Sequence, residues 1–342
     1  MQQVLRARSP AKLILSGEHA VVYGKPAIAM AIDRYAESTI ISSLSPGLSP
    51  GILLNCLNLH YAKSFTNHTL KSLKQRLQNK YTAFLEGRLN IREVLRRPFE
   101  LLQYTVTQIL ETWNIPQNLR LEICASSEIP MGCGMGSSAA LVMSTLYALA
   151  HFLKLDIDAK HYLSLGREAE NLQHGFSSGL DINLAMNGGC IRFEAGVTSK
   201  RSFMHNPLTI VHTGIPEVST GQTVVSVAEH FKKSSIWEEF GVITETFDSA
   251  LLSNNKAQMQ VAIRENHRLL TKIGVVPTKV QAFIRAIEEE GGAAKICGAG
   301  SVVGDNAGVV LVVSDRDLST IANIHGYTMQ QVRGDHHGTH LV

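Results

Sequence analysis

The chain has 342 residues, enough for roughly two domains at about 150 residues each. Lys and Arg total 32 against 29 Asp and Glu, a net charge of +3, with 44% of residues hydrophobic and 18% charged. These values exclude whole-chain disorder, collagen and coiled coil, and so weak a field excludes a chain devoted to a polyanionic partner such as nucleic acid.

Residues 13–15 and 21–22 are short apolar runs separated by the polar loop Ser16-Gly17-Glu18-His19. Residues 27–32 are a further apolar run, and 38–42 read as an edge strand. Two Pro and two Gly in 45–51 mark a turn. Residues 63–110 read as mostly helical, with Lys and Arg on solvated faces. Residues 119–125 alternate with period two, as a half-buried strand does. Helices are expected over 137–155 and 158–174, and strands over 189–193 and 208–212. Helical periodicity then runs from 236 to 290, with breaks at Asn254-Asn255 and Pro277. Strands at 294–297 and 309–313 flank a glycine-rich loop. Strands and helices mix without regular βαβ alternation, which predicts an α+β fold. A composition shift over 193–207 places the domain boundary there, giving segments 1–195 and 196–342.

The five cysteines (Cys56, Cys124, Cys133, Cys190, Cys297) are odd in number and show no C-x-x-C spacing, as expected of free thiols in a reducing compartment. Lys12 and Glu18 interrupt the apolar run behind Arg6 and Arg8, so no signal peptide is legible. The longest apolar stretch, 139–153, is broken by Ser144, Thr145 and His151 and is shorter than a bilayer span. A soluble cytoplasmic protein with no membrane partner is expected.

Four motifs carry chemistry. Pro130-Met-Gly132-Cys-Gly134-Met135-Gly136-Ser137-Ser138-Ala-Ala lies between a strand and a long helix. Glycines let the backbone approach a ligand, and the following helix aims free N–H groups at it. The pattern reads as a phosphate cradle, with Ser137 and Ser138 able to cap the helix or offer a hydroxyl to a metal. It lacks the Lys of a Walker A loop and the spacing of a dinucleotide fingerprint. Lys12 opens a short apolar strand and could aim a charge at a carboxylate. Glu168-Ala-Glu170-Asn-Leu-Gln-His174-Gly-Phe-Ser-Ser-Gly179-Leu-Asp181 offers two acids, Glu170 and Asp181, for Mg²⁺ or for an alcohol proton. Ala294-Lys-Ile-Cys-Gly298-Ala299-Gly300-Ser-Val-Val-Gly304 is a second glycine loop, longer than a tight hairpin turn needs.

In this order, from Pro10 to Val313, the motifs resemble the GHMP small-molecule kinases. The segment Gly17-Glu18-His19-Ala-Val-Val-Tyr-Gly-Lys-Pro-Ala27 is most similar to the mevalonate kinase branch. The resemblance implies two α+β lobes with the active site in the cleft between them. It implies ATP and Mg²⁺ as cofactors and mevalonate as the small-molecule alcohol substrate. Pro130, Gly132, Gly134, Met135, Gly136, Ser137 and Ser138 would wrap the phosphates. Ser138 and Glu170 would hold Mg²⁺, and Asp181, paired with Lys12, would face the alcohol. Glu18, His19, Thr220, Gly298 and Ala299 would contact substrate. A homodimer is usual in that branch. The alternatives are another kinase of the family, acting on phosphomevalonate or a sugar, and a non-catalytic nucleotide or metabolite sensor. Residues Gly221 and Ser301-Val-Val-Gly304 depart from the family pattern, where a basic residue and further glycines are common. The tail residues His336, His337 and His340 could suggest a metal site, but a mobile terminus is the expected reading.

Overall fold

The computed structural model describes residues 3–42, 50–97, 99–116, 119–204 and 208–342. Most of the turn expected over 45–51 lies outside them. Strands β1 (Val4–Ser16), β2 (Ala27–Ser42), β3 (Gly51–Cys56) and β4 (Tyr61–Phe65) come first, followed by helices α1 (Asn67–Leu85) and α2 (Phe99–Thr112). Strand β5 (Arg120–Ser127) leads through the glycine loop into α3 (Ser137–Phe152), α4 (Ala159–His174) and α5 (Leu180–Asn187). The hairpin of β6 (Cys190–Glu194) and β7 (Val197–Arg201) precedes β8 (Leu208–Gly214), then α6 (Thr220–Phe231), α7 (Ile236–Leu252), α8 (Lys256–Lys272) and α9 (Thr278–Glu289). The chain ends with β9 (Ala293–Cys297), β10 (Gly308–Val313), α10 (Ser319–Ile324), β11 (Thr328–Val332) and β12 (His340–Leu341).

The first sheet runs β12-β1-β2-β5-β3-β4, with β6 added to β2 and β7 to β6. Residues 38–42 are therefore not an edge strand. They are the second half of the 16-residue β2, with β1 on one side and β5 on the other. Ser38 is fully buried there because its hydroxyl pairs with Thr145 Oγ1 at 2.8 Å, so a polar residue sits in the interior without an unsatisfied group. Residues 63–65 are likewise strand, not helix. Pro10 interrupts β1 at a register shift, where a missing N–H is tolerated. The second sheet, β11-β8-β10-β9, is antiparallel throughout.

Helix ends follow the sequence closely. Asp158 caps α4 through the His161 N–H, and Asn255 caps α8 through the Gln258 N–H. The breaks at Asn254-Asn255 and Pro277 separate α7, α8 and α9. The first core lies between the first sheet and α2–α4, around Ile109, Leu146 and Ile123. The second lies under the second sheet, around Phe240, Phe283 and Val310. A third cluster joins them: Leu13, Leu15, Ile28 and Met30 of the first sheet pack with Phe247, Ile263, Val309 and Leu311. This shared core forms the floor between the lobes. The division expected after residue 195 falls in the Ala195-Gly196 turn of the β6–β7 hairpin, and both strands of that hairpin belong to the first sheet.

Candidate active site

The glycine loop delivers an uncapped helix end. Gly136 is the N-cap of α3 in a left-handed conformation (φ 72°), and no side chain caps the helix. Ser137 and Ser138 are the first helical residues and do not cap it. The Ser137 hydroxyl reaches back to the Ile129 carbonyl at 3.5 Å. The free N–H groups of the first turn thus remain available to an anion. Met135 is buried, and its carbonyl accepts from the Lys12 N–H at 2.9 Å, which fastens the loop to β1.

Two of the glycines also answer to packing. A Cβ on Gly136 would stand 2.9 Å from Lys12 Cγ, so this position makes room for the lysine. A Cβ on Gly134 would stand 2.8 Å from the Cys297 carbonyl oxygen, and one on Gly298 2.9 Å from Gly134 Cα. The two glycine loops therefore lie against each other. Gly134→Val should consequently lower stability as well as nucleotide affinity, by about 1–3 kcal/mol for the forced shift alone. Denaturant unfolding without nucleotide checks this; a wild-type midpoint would show that the loops do not press on one another.

Lys12 Nζ lies 3.3 Å from Asp181 Oδ1. The lysine side chain is 7% exposed and the aspartate 27%, so the aspartate is the more accessible partner of the pair. Asp181 sits in the first turn of α5. The helix's positive end favours its negative charge. Glu170, on α4, is buried with His174 Nε2 3.5 Å from its Oε2. Burial pushes its carboxyl above the usual range; the His174 ring opposes this, Asp181 reinforces it, and a hydrogen bond from the Ser138 hydroxyl opposes it. Glu170 Oε1 is buried without a hydrogen-bond partner. Lys12, Ser138, Glu170 and Asp181 thus come from four separate elements to one place.

His19 is also at the site, in an unusual backbone state (φ 58°, ψ −46°) that costs on the order of 1–3 kcal/mol. Its Nε2 is 2.9 Å from the Ala299 carbonyl oxygen. Burial lowers its pKa, against the pull of that carbonyl, so the ring is neutral near pH 7. Nε2 then donates its proton to Ala299, and Nδ1 is left as an acceptor. Thr220, exposed at the start of α6, lines a narrow cleft with Gly132, Gly134, Pro216 and Ala299.

Glu18 departs from expectation. It does not face the cleft: its carboxylate is buried, paired with the fully buried Lys295 of β9, and accepts from Asn266 Nδ2 at 3.1 Å. Lys295 also donates to the carbonyls of Ile14 and Ile296, at 3.1 and 2.9 Å. Glu18 anchors the loop that presents His19. Sequence reasoning missed Lys295 and Asn266; the one signal was a lysine inside the apolar run of β9. The tail was also misread. Arg8 Nε donates to His340 Nε2 at 3.0 Å, and β12 pairs with β1, so the terminus is docked. Among the described residues no three His, Cys, Asp or Glu side chains converge on a metal position.

Residues 100–189 match the N-terminal domain of GHMP kinases. The chain is 29% identical to a mevalonate kinase of Pyrococcus furiosus over 338 residues, 94% of this chain and 93% of that one. It is 30% identical to a mevalonate kinase of Thermococcus onnurineus, covering 86% of each. The fold is similar to a crystal structure of mevalonate kinase, with a TM-score of 0.78, 25% identity, and coverage of 96% of this chain and 98% of that one.

Proposed function

Since this chain belongs to the GHMP kinase family and within it is most like the mevalonate kinases, we propose that it transfers the terminal phosphoryl group of ATP to the primary hydroxyl of mevalonate. The observation that carries this reading is the Lys12–Asp181 ion pair beside Glu170, Ser138 and an uncapped helix end. Phosphoryl transfer needs positioning and charge neutralisation more than covalent chemistry. The α3 N–H groups hold the phosphates. Asp181 orients the alcohol and takes its proton as the oxygen–phosphorus bond forms and the bond to ADP breaks. Lys12 holds the carboxylate in place from the buried side. Neutral His19, fastened to the Ala299 carbonyl through Nε2, accepts a substrate hydroxyl at Nδ1, and Thr220 lines the same cleft.

Mg²⁺ fits the same place. The unpartnered Glu170 Oε1 and the nearby Ser138 hydroxyl would hold it. When bound it supplies positive charge to the phosphates. A site with so few protein ligands suits an ion that keeps water and phosphate oxygens around it. Among the described residues no helix is long and apolar enough to cross a membrane, and we place the enzyme in the cytoplasm, as a homodimer. The retained Lys12, Ser138, Glu170 and Asp181 disfavour a non-catalytic sensor.

The test is ATP consumption over mevalonate, phosphomevalonate, homoserine and galactose. Mevalonate should give the highest kcat/KM, with Mg²⁺ required. A higher value for phosphomevalonate would move the chain to the neighbouring branch, and no turnover with any alcohol would favour the sensor.

A further inference from the structure

The last ten residues touch both elements that carry the Lys12–Asp181 pair. Thr339 is buried, 6% exposed. Its hydroxyl lies 2.8 Å from the Ala185 carbonyl oxygen and 2.9 Å from the Ser9 hydroxyl, and Ser9 Oγ lies 3.2 Å from the same carbonyl. Ala185 is one helical turn beyond Asp181 on α5, and Ser9 is three residues before Lys12 on β1. The Thr339 N–H also donates to the Met186 carbonyl at 3.1 Å.

A second set of contacts reaches the same pair from the other side of β1. Lys12 is in register with Ala31 of β2. The Asp335 N–H donates to the Ala31 carbonyl at 2.9 Å, and the Asp335 carbonyl accepts from Gly189 at 2.7 Å, just past the end of α5. The buried Asp335 carboxylate gathers the Tyr35 hydroxyl at 2.7 Å and the backbone N–H groups of His337 and Gly338 at 3.0 and 2.7 Å, which fixes the turn ahead of Thr339. Backbone contact is close enough that a Cβ on Gly338 would stand 2.3 Å from the Met186 carbonyl oxygen. The tail is thus wedged against the far end of α5 while hydrogen-bonded to β1 and β2. Within α5, an eight-residue helix, a shift at Ala185 is carried directly to Asp181.

We propose that the C-terminal tail is a clasp that sets the distance between Lys12 and Asp181, with Thr339 as its positioning residue. The inference rests on the role given to Asp181 above. Thr339 touches neither substrate nor nucleotide. It acts by holding α5 on β1, where the general base must meet the alcohol within a fraction of an ångström.

The test compares Thr339→Val, which keeps the shape and loses the hydroxyl, with Thr339→Ser, which keeps it. Each is made in the natural chain and in Asp181→Asn. At a temperature well below the unfolding midpoint of every variant, Thr339→Val should lower kcat by about 10- to 100-fold with the ATP KM within about twofold. Thr339→Ser should stay within about twofold of the natural chain, and in the Asp181→Asn background Thr339→Val should cost less than about twofold, because groups acting as a unit are non-additive. Unchanged kcat in folded Thr339→Val would overturn the clasp. So would an equal loss in both backgrounds, which would mark a general weakening of the fold. If Thr339→Val does not fold, Ser9→Ala frees β1 from both Thr339 and the Ala185 carbonyl while leaving Thr339 on Ala185. A loss of kcat in the natural background alone is again expected, with unchanged kcat or an equal loss in both backgrounds overturning the clasp. A natural kcat in Asp181→Asn alone would instead overturn the catalytic reading itself, so the two failures are separable.

Discussion

Asp181→Asn should lower kcat by about 10² to 10⁴, the range that a positioned general base contributes. Asparagine keeps the size and most of the hydrogen-bonding shape of the carboxylate, but it cannot take the alcohol proton. ATP affinity should be nearly unchanged, because the phosphates sit at the α3 end and Asp181 sits at the start of α5. Lys12→Met should also lower kcat, since the ammonium 3.3 Å away is the carboxylate's buried partner. The double variant should be less impaired than the product of the two single losses. Steady-state kinetics with a nucleotide-binding titration separates the cases. Fully multiplicative losses would mean that Lys12 acts on the phosphates independently. A near-natural kcat in Asp181→Asn would leave transfer to proceed by positioning alone.

Lys295→Met should be the most destabilising single change near the site. Lys295 and Glu18 are both without exposed side-chain surface. Removing one member of such a pair leaves the other charge buried and uncompensated, at about 3–5 kcal/mol. Asn266 alone would then remain to satisfy Glu18. Pairing Lys295→Met with Glu18→Gln should recover much of the loss, because no lone charge is left in the interior. The activity of the single variant should fall mainly through KM for the alcohol, since the Glu18 anchor sets the strained backbone of His19. Chemical denaturation of the single and double variants checks the first point. A single variant as stable as the natural chain would show that water reaches the pair, and Glu18 would then return as a residue facing the cleft.

The sequence alone determined the local features. Helical patterning and the breaks at Asn254-Asn255 and Pro277 placed α4, α7, α8 and α9 within a few residues, because helical hydrogen bonds and helix breakers act within one turn. The glycine loop before α3 was legible for the same reason: positive φ and an open helix end are written in adjacent residues. The motif order from Lys12 through Ser138, Glu170 and Asp181 was enough to name the family and the residues to test. The tertiary structure decided which of these residues meet. Ser38 read as part of an edge because a hydroxyl interrupts the apolar pattern, yet Thr145, more than a hundred residues on, satisfies it inside the core. Lys295 went unnoticed inside an apolar strand, and only the approach of Glu18 from the other lobe makes it a buried ion pair. His336, His337 and His340 read as a loose tail, because the register of β12 on β1 and the Thr339 contacts depend on positions more than 150 residues away. Pairings of this kind depend on the register of distant strands and on water being excluded from both partners at once, and neither is recorded in the spacing of residues along the chain.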